Sequence, residues 1–165
     1  MPKQGSSRIL DLLARAGWTF AASVPDKGLD GLLKSLDSDQ RFIHVHCTRE
    51  EEAVGLSAGA FVGGRRGVVL TQNSGLGNSV NALTSLVAFY EIPLLLIVAM
   101  RGGPGERISA QIPMARATAG VLAAVGVRSV QASSFEMLAE TIATRTSEST
   151  AIIATPEEWS RLTEE

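Results

Sequence analysis

PLLLIVAM, Pro93–Met100, contains no polar side chain, and the chain then turns at once into RGGPG. A continuous apolar run this short, with a proline before it and glycines after it, reads as a central strand of a parallel sheet, covered on both faces. Working outward from it, helical and strand periods alternate in both directions. Upstream, NSVNALTSLVAFY (78–90) has the length of a helix, NSGLG (73–77) reads as a loop and GVVLTQ (67–72) as a strand. Residues 49–62 make another helix, RFIHVH (41–46) a strand, GLDGLLKSL (28–36) a short helix and TFAASV (19–24) a strand stopped by Pro25. SSRILDLLARAG (6–17) carries apolar residues at helical spacing, with serines before them and Gly17 after.

Downstream, RGGPGERISAQ (101–111) is a polar loop rich in glycine, followed by the helix MARATAGVLAAVG (114–126) and the strand VRSVQA (127–132). SSFEMLAETIATRT (133–146) opens like a capping box, Ser133 with Glu136. After the strand AIIAT (151–155), TPEEWSRLT offers Thr155 as cap, Pro156 at the first helical position and Glu158 to close a second box. The expected fold is α/β: an open, mostly parallel six-stranded sheet with helices on both faces, in a single domain over 1–165. In such sheets the working groups lie beyond the carboxyl ends of the strands, here 24–26, 47–50, 72–76 and 101–111.

The chain has 165 residues, a formal net charge of −2 and no basic stripe, which gives no electrostatic case for nucleic acid. The uncharged run 67–90 fails as a membrane span, because Gln72, Asn73, Ser74, Asn78, Ser79 and Asn81 would all need partners in lipid. MPKQGSSRIL lacks a signal-peptide core, so the expected location is cytoplasmic. Cys47 is the single cysteine, excludes an internal disulfide, and reads as a buried structural thiol. His44 and His46 point to one face of their strand, where local partners are the more usual arrangement than a metal. SGLGNSV has Val80 where a dinucleotide fingerprint needs its third glycine.

Charge is distributed unevenly. TREEEAVGLSAGAFVGG (48–64) begins with Arg49, Glu50, Glu51 and Glu52, yet from Ala53 to Met100 only Arg65, Arg66 and Glu91 are charged. The carboxylates could simply favour a helix N-terminus, each contributing about 0.3–1 kcal/mol. The helix behind them, however, has no polar face, and its small residues Gly55, Ser57, Ala58, Gly59 and Ala60 suit close approach by another helix. It is expected to pack against another subunit. A glutamate at the edge of so dry an interface suits acid–base chemistry near neutral pH, since burial disfavours its charged form.

VPDKGLDGLL, REEEAVGLSAGAFVGG, VVLTQNSGLGNSVNALTSL, IPLLLIVAMRGGPGE and AQIPM together resemble the pyrimidine-binding half of thiamine-diphosphate-dependent 2-oxo acid decarboxylases, especially the alpha subunits of sulfopyruvate decarboxylases and the phosphonopyruvate decarboxylases. The resemblance runs from about Val24 to Met114. It implies that Glu50, with Ala53 three and Gly59 nine residues on, shares a proton with N1′ of the cofactor's aminopyrimidine, while Glu51 and Glu52 remain helix-start charges. It further implies that Gln72, Asn73, Ser74, Gly75 and Leu76 line the pyrimidine pocket, and that Pro25, Asp26 and Gln111 face the substrate. Arg101 and Arg107 would then pair with a sulfonate or phosphonate.

The family's G-D-G motif and downstream asparagine, which hold Mg²⁺ and the diphosphate, have no counterpart; LDGLL (29–33) is the nearest string. The expectation is therefore an alpha subunit in a homo- or hetero-oligomer. A beta subunit would supply the diphosphate-binding domain and the metal, and the substrate would be a small anionic 2-oxo acid, 3-sulfopyruvate before phosphonopyruvate. Another 2-oxo acid decarboxylase or ligase subunit, or a non-catalytic interaction subunit, stands as the alternative.

Overall fold

The apolar run around Leu95 forms the fourth strand of a six-stranded sheet in which every neighbouring pair is parallel. The computed structural model describes residues 4–144 and 148–164. In chain order these form α1 (Gln4–Arg15), β1 (Trp18–Ser23), α2 (Asp30–Ser38), β2 (Ile43–His46), α3 (Glu50–Val62), β3 (Arg66–Gln72), α4 (Asn73–Ala82), β4 (Leu95–Ala99), α5 (Ile112–Ala124), β5 (Arg128–Gln131), α6 (Phe135–Ala143), β6 (Thr150–Ala154) and α7 (Pro156–Glu164). The strands lie in the order β2-β1-β3-β4-β6-β5. β3, β4 and β6 are covered on both sides, which explains their unbroken apolar character; the edge strands β2 and β5 stay partly exposed.

Direction along the sheet decides which face each helix covers. The steps toward the β5 edge run through α3, α4 and α5, and these share one core with Val69, Leu96, Val98 and Ile153. The return steps run through α2 and α6, which pack with α1 and α7 on the other core, around Leu70, Ile97 and Ile152. This segregation is what right-handed crossovers require. Trp159 of α7 is 1% exposed and donates its indole N–H to the Val98 carbonyl at 3.0 Å, pinning the last helix over the sheet centre.

Two local expectations are corrected. NSGLG is not a loop: Gln72 keeps an extended backbone as cap, and α4 starts at once with Asn73, continuing after Ala82 as a π-helical segment over Leu83–Ala88. Glycines suggested flexibility there, but they sit inside a helix. The cap of α6 is Ser134, whose hydroxyl accepts the Met137 N–H at 3.2 Å; Ser133 stands one position too early. The end of that expected helix, Arg145 and Thr146, lies outside the described residues. The second capping box is present as read, with Thr155 N–H donating to Glu158 and Glu158 N–H donating to Thr155 Oγ1. Among the described residues no helix is long and apolar enough to cross a membrane.

Ser134→Ala should cost about 1 kcal/mol of stability, and Ser133→Ala less than about 0.5 kcal/mol. Urea unfolding of the two variants checks the cap assignment, and the reverse order would overturn it.

Candidate active site

Glu50 is the first residue of α3, delivered to the carboxyl rim where the chain leaves β2. It is 9% exposed, although its neighbours Glu51 and Glu52 reach solvent. The cluster separates cleanly. Glu51 pairs with Arg49 at 2.5 Å, and its own backbone N–H, followed by that arginine, holds its carboxyl below the usual value. Glu52 turns back to accept the backbone N–H of Thr48 at 3.1 Å. Glu50 instead turns inward to α4, where Asn78 Nδ2 donates to its Oε2 at 2.8 Å. Its Oε1 makes no hydrogen bond with the described residues.

Gly75 creates the space for that carboxylate. A Cβ at this position would overlap Glu50 Cγ and Thr71 Oγ1, and would stand 2.8 Å from Glu50 Cδ. The glycine is therefore required by close approach of α3 and α4, and not by an unusual backbone angle.

The rest of the QNSGLG stretch divides by task. Asn73 is completely buried; its amide donates to the Arg101 carbonyl and to Thr118 Oγ1, both at 3.1 Å, and its oxygen accepts the Arg101 N–H at 3.0 Å. Both donors are thus committed, one tying the start of α4 to the loop after β4 and the other tying it to α5. Leu76 is fully buried in the core, so its side chain is packing. Gln72 and Ser74 are half-buried, with no side-chain hydrogen bond to the described residues. Asn78 and Thr118 were not singled out by sequence reasoning. Asn78 lay inside the quoted motif, but nothing in its spacing showed that it faces Glu50.

A cleft of about 810 Å³ opens on the same rim, between the loop after β4 and the start of α7, and includes Lys27, Arg101, Arg107 and Glu157. Its position follows from topology: β4 leads into a helix on one face of the sheet and β6 into a helix on the other, so their loops part. Glu50 does not line it. Gly102 shapes the loop with φ +88° and packs its Cα face against the Gln111 carbonyl. Arg101 is bound within the loop, its Nε and Nη2 donating to Glu106 at 3.0 and 3.1 Å.

That pairing, with the Ile108 and Gly102 N–H groups, pulls the Glu106 carboxyl down to about 2. The stability it lends is present above the ordinary glutamate value and is lost only as pH falls toward 2. Arg107 is exposed and makes no ion pair with the described residues. Asp26 accepts the Gly28 N–H at 2.8 Å as a cap, and Pro25 is exposed beside it. Gln111 lies at the far end of the loop, outside the cleft lining. Cys47 is buried, as expected, and burial pushes its thiol upward.

The pattern described as "Thiamine pyrophosphate enzyme, N-terminal TPP binding domain" matches residues 3–111, which include all of α3, β3 and α4. The chain belongs to this thiamine pyrophosphate enzyme family. It is 50% identical over 107 residues to sulfopyruvate decarboxylase subunit alpha of Methanothermobacter thermautotrophicus, covering 65% of each chain. It is 41% identical to phosphonopyruvate decarboxylase of Streptomyces viridochromogenes over 62% of this chain but 26% of that protein. A putative thiamin diphosphate-dependent enzyme from Mycobacterium smegmatis superposes with TM-score 0.72 at 17% identity, over 96% of this chain and 32% of that one, which shows the shared fold. As a TPP-binding domain the chain fits its cofactor: the buried Glu50 with one uncommitted oxygen, seated where a Cβ is missing, suits an aminopyrimidine nitrogen.

Gly75→Ala should push Glu50 out of its seat, costing about 1–3 kcal/mol by overpacking. Thermal unfolding measures the cost, and a neutral result would show that the glycine does not make room for the carboxylate.

Proposed function

We propose that this chain is the pyrimidine-binding alpha subunit of a cytoplasmic, heteromeric decarboxylase that converts a small anionic 2-oxo acid, 3-sulfopyruvate in the first place, to the aldehyde and CO₂. The observation that carries the reading is Glu50: buried at the start of a helix, oriented by Asn78, and left room by Gly75. Thiamine diphosphate, when bound, supplies the electron sink for decarboxylation.

The work of this chain is to hold and move a proton. Asn78 fixes Oε2 of Glu50, which leaves Oε1 as the oxygen that would hold a proton shared with the cofactor's aminopyrimidine when it is bound. Cover by a partner subunit would strengthen that exchange, because water would then neither screen the carboxylate nor compete for it. Gln72 and Ser74, whose side chains have no partner among the described residues, are the polar groups available to the ring, and Gly75 keeps the wall thin. Asn73 and Leu76 act from behind, as positioning and packing residues. On the substrate side, Arg107 is a cation available to a sulfonate or phosphonate, as is Lys27, whereas Arg101 is already neutralised by Glu106. Pro25, Asp26 and Gln111 lie outside the lining of the cleft and are placed on the substrate side by the family resemblance alone.

Mg²⁺ and the diphosphate are assigned in this reading to a partner beta subunit, a division that the designation of the similar archaeal proteins as alpha subunits supports. The surface supports a partner. Along α3 and the α4–π helix, Leu56, Val62, Val80, Phe89 and Tyr90 are all exposed, with Val62 at 82% and Phe89 at 73%. Gly55 and Gly59 of α3 have open space before them, as a helix packing at close range requires. Exposed apolar side chains gathered on these two helices suit an interface. Phosphonopyruvate is the alternative substrate, favoured by the 41% identity to the Streptomyces enzyme.

Glu50→Gln, tested in the complex assembled with its beta subunit, should lose about 10²-fold or more in kcat with assembly intact. Unchanged turnover would refute the proton-transfer role.

A further inference from the structure

On the opposite face of the sheet from Glu50, three side chains converge that the decarboxylase reading does not use. His44 and His46 project from edge strand β2 toward the end of α2, as their pairing with Ala21 and Ser23 on that face requires. There Asp37 Oδ1 lies 2.8 Å from His44 Nδ1 and 2.8 Å from His46 Nε2. The three atoms lie within 4.8 Å of one another. Behind the rings, the completely buried Ser23 hydroxyl lies 2.8 Å from His44 Nε2 and 3.4 Å from His46 Nδ1. One hydroxyl thus meets the far nitrogen of both imidazoles.

We infer that Asp37, His44 and His46 form a binding site for a divalent ion of the zinc class, closing a clip between α2 and the edge strand. Two imidazoles and a carboxylate make the donor set that borderline ions prefer over Mg²⁺ or Ca²⁺. A hydrogen bond to the non-ligating nitrogen is the usual means of orienting a metal-binding histidine, and Ser23 is placed to supply it. Tetrahedral zinc at 2.0–2.1 Å from each ligand needs ligand separations of about 3.3 Å. Reaching that from 2.8 Å takes rotation of Asp37 and His46, whose side chains are 48% and 49% exposed, while His44, at 4%, stays fixed. Solvent completes the coordination. The site stands independently of the catalytic assignment.

The test uses the full chain, stripped with chelator and titrated with Zn²⁺ by calorimetry and with Co²⁺ by visible absorption. One saturable Zn²⁺ per chain is expected, with a tetrahedral Co²⁺ spectrum and a raised thermal midpoint. His46→Ala and Asp37→Asn, both at exposed positions, should abolish saturable binding, and Ser23→Ala should weaken it about 10-fold or more. Cys47→Ser should leave it unchanged. Absence of saturable binding, binding that survives both His46→Ala and Asp37→Asn, or binding lost in Cys47→Ser would overturn the inference. In the first case the cluster is a hydrogen-bonded triad and nothing more.

Discussion

The contact between Glu50 and Gly75 is the constraint on which the rest of the site depends. A carboxylate can be buried at a helix start only if something receives it, and here a neighbouring helix gives up a side chain to do so. That fixes the approach of α3 to α4 and puts Asn78 within reach of Oε2. It also requires α4 to begin directly after β3, because a loop there would carry Gly75 away from Glu50. Asn73 secures this abrupt start by hydrogen bonding to both backbone groups of Arg101 and to Thr118. The sheet, the two helices and the loop after β4 are thus coupled through a few polar contacts at one rim.

Much of this architecture was legible in the sequence. The apolar runs of β3, β4 and β6 read as strands through their shortness and their flanking turn residues, since a run covered on both faces has no alternation of its own to identify it. Thr155, Pro156 and Glu158 form their cap as written, since capping chemistry is local. Reading failed where a residue answers to a distant neighbour. Glycine in NSGLG has a local meaning, a turn, and a tertiary one, close approach; only the packing of α3 on α4 decides for the second. The serine cap of α6 was misplaced by one residue because Ser133 and Ser134 are chemically equal, and the backbone alone selects between them.

The site divides in the same way. Glu50 could be separated from Glu51 and Glu52 by a family spacing, and the geometry then gives each of the three a different partner. Arg101 and Arg107 look alike in a glycine-rich loop. Glu106, five residues after Arg101, neutralises the first and leaves the second facing the cleft. The charge-poor stretch from Ala53 to Met100 likewise has two sources, which composition cannot distinguish. Part of it is the core beneath α3 and α4, and part is the exposed apolar face that Val62, Phe89 and Tyr90 present.

The central claim, that this chain contributes a proton-handling glutamate to an active site completed by a partner, is tested most directly by purifying it at native levels from its source. The accompanying proteins would be identified by mass spectrometry, and CO₂ release from 3-sulfopyruvate measured with thiamine diphosphate and Mg²⁺. The account predicts a stoichiometric second chain carrying a G-D-G motif and a downstream asparagine, with turnover in the complex and none in either chain alone. A lone homo-oligomer that neither binds thiamine diphosphate nor releases CO₂ would contradict it.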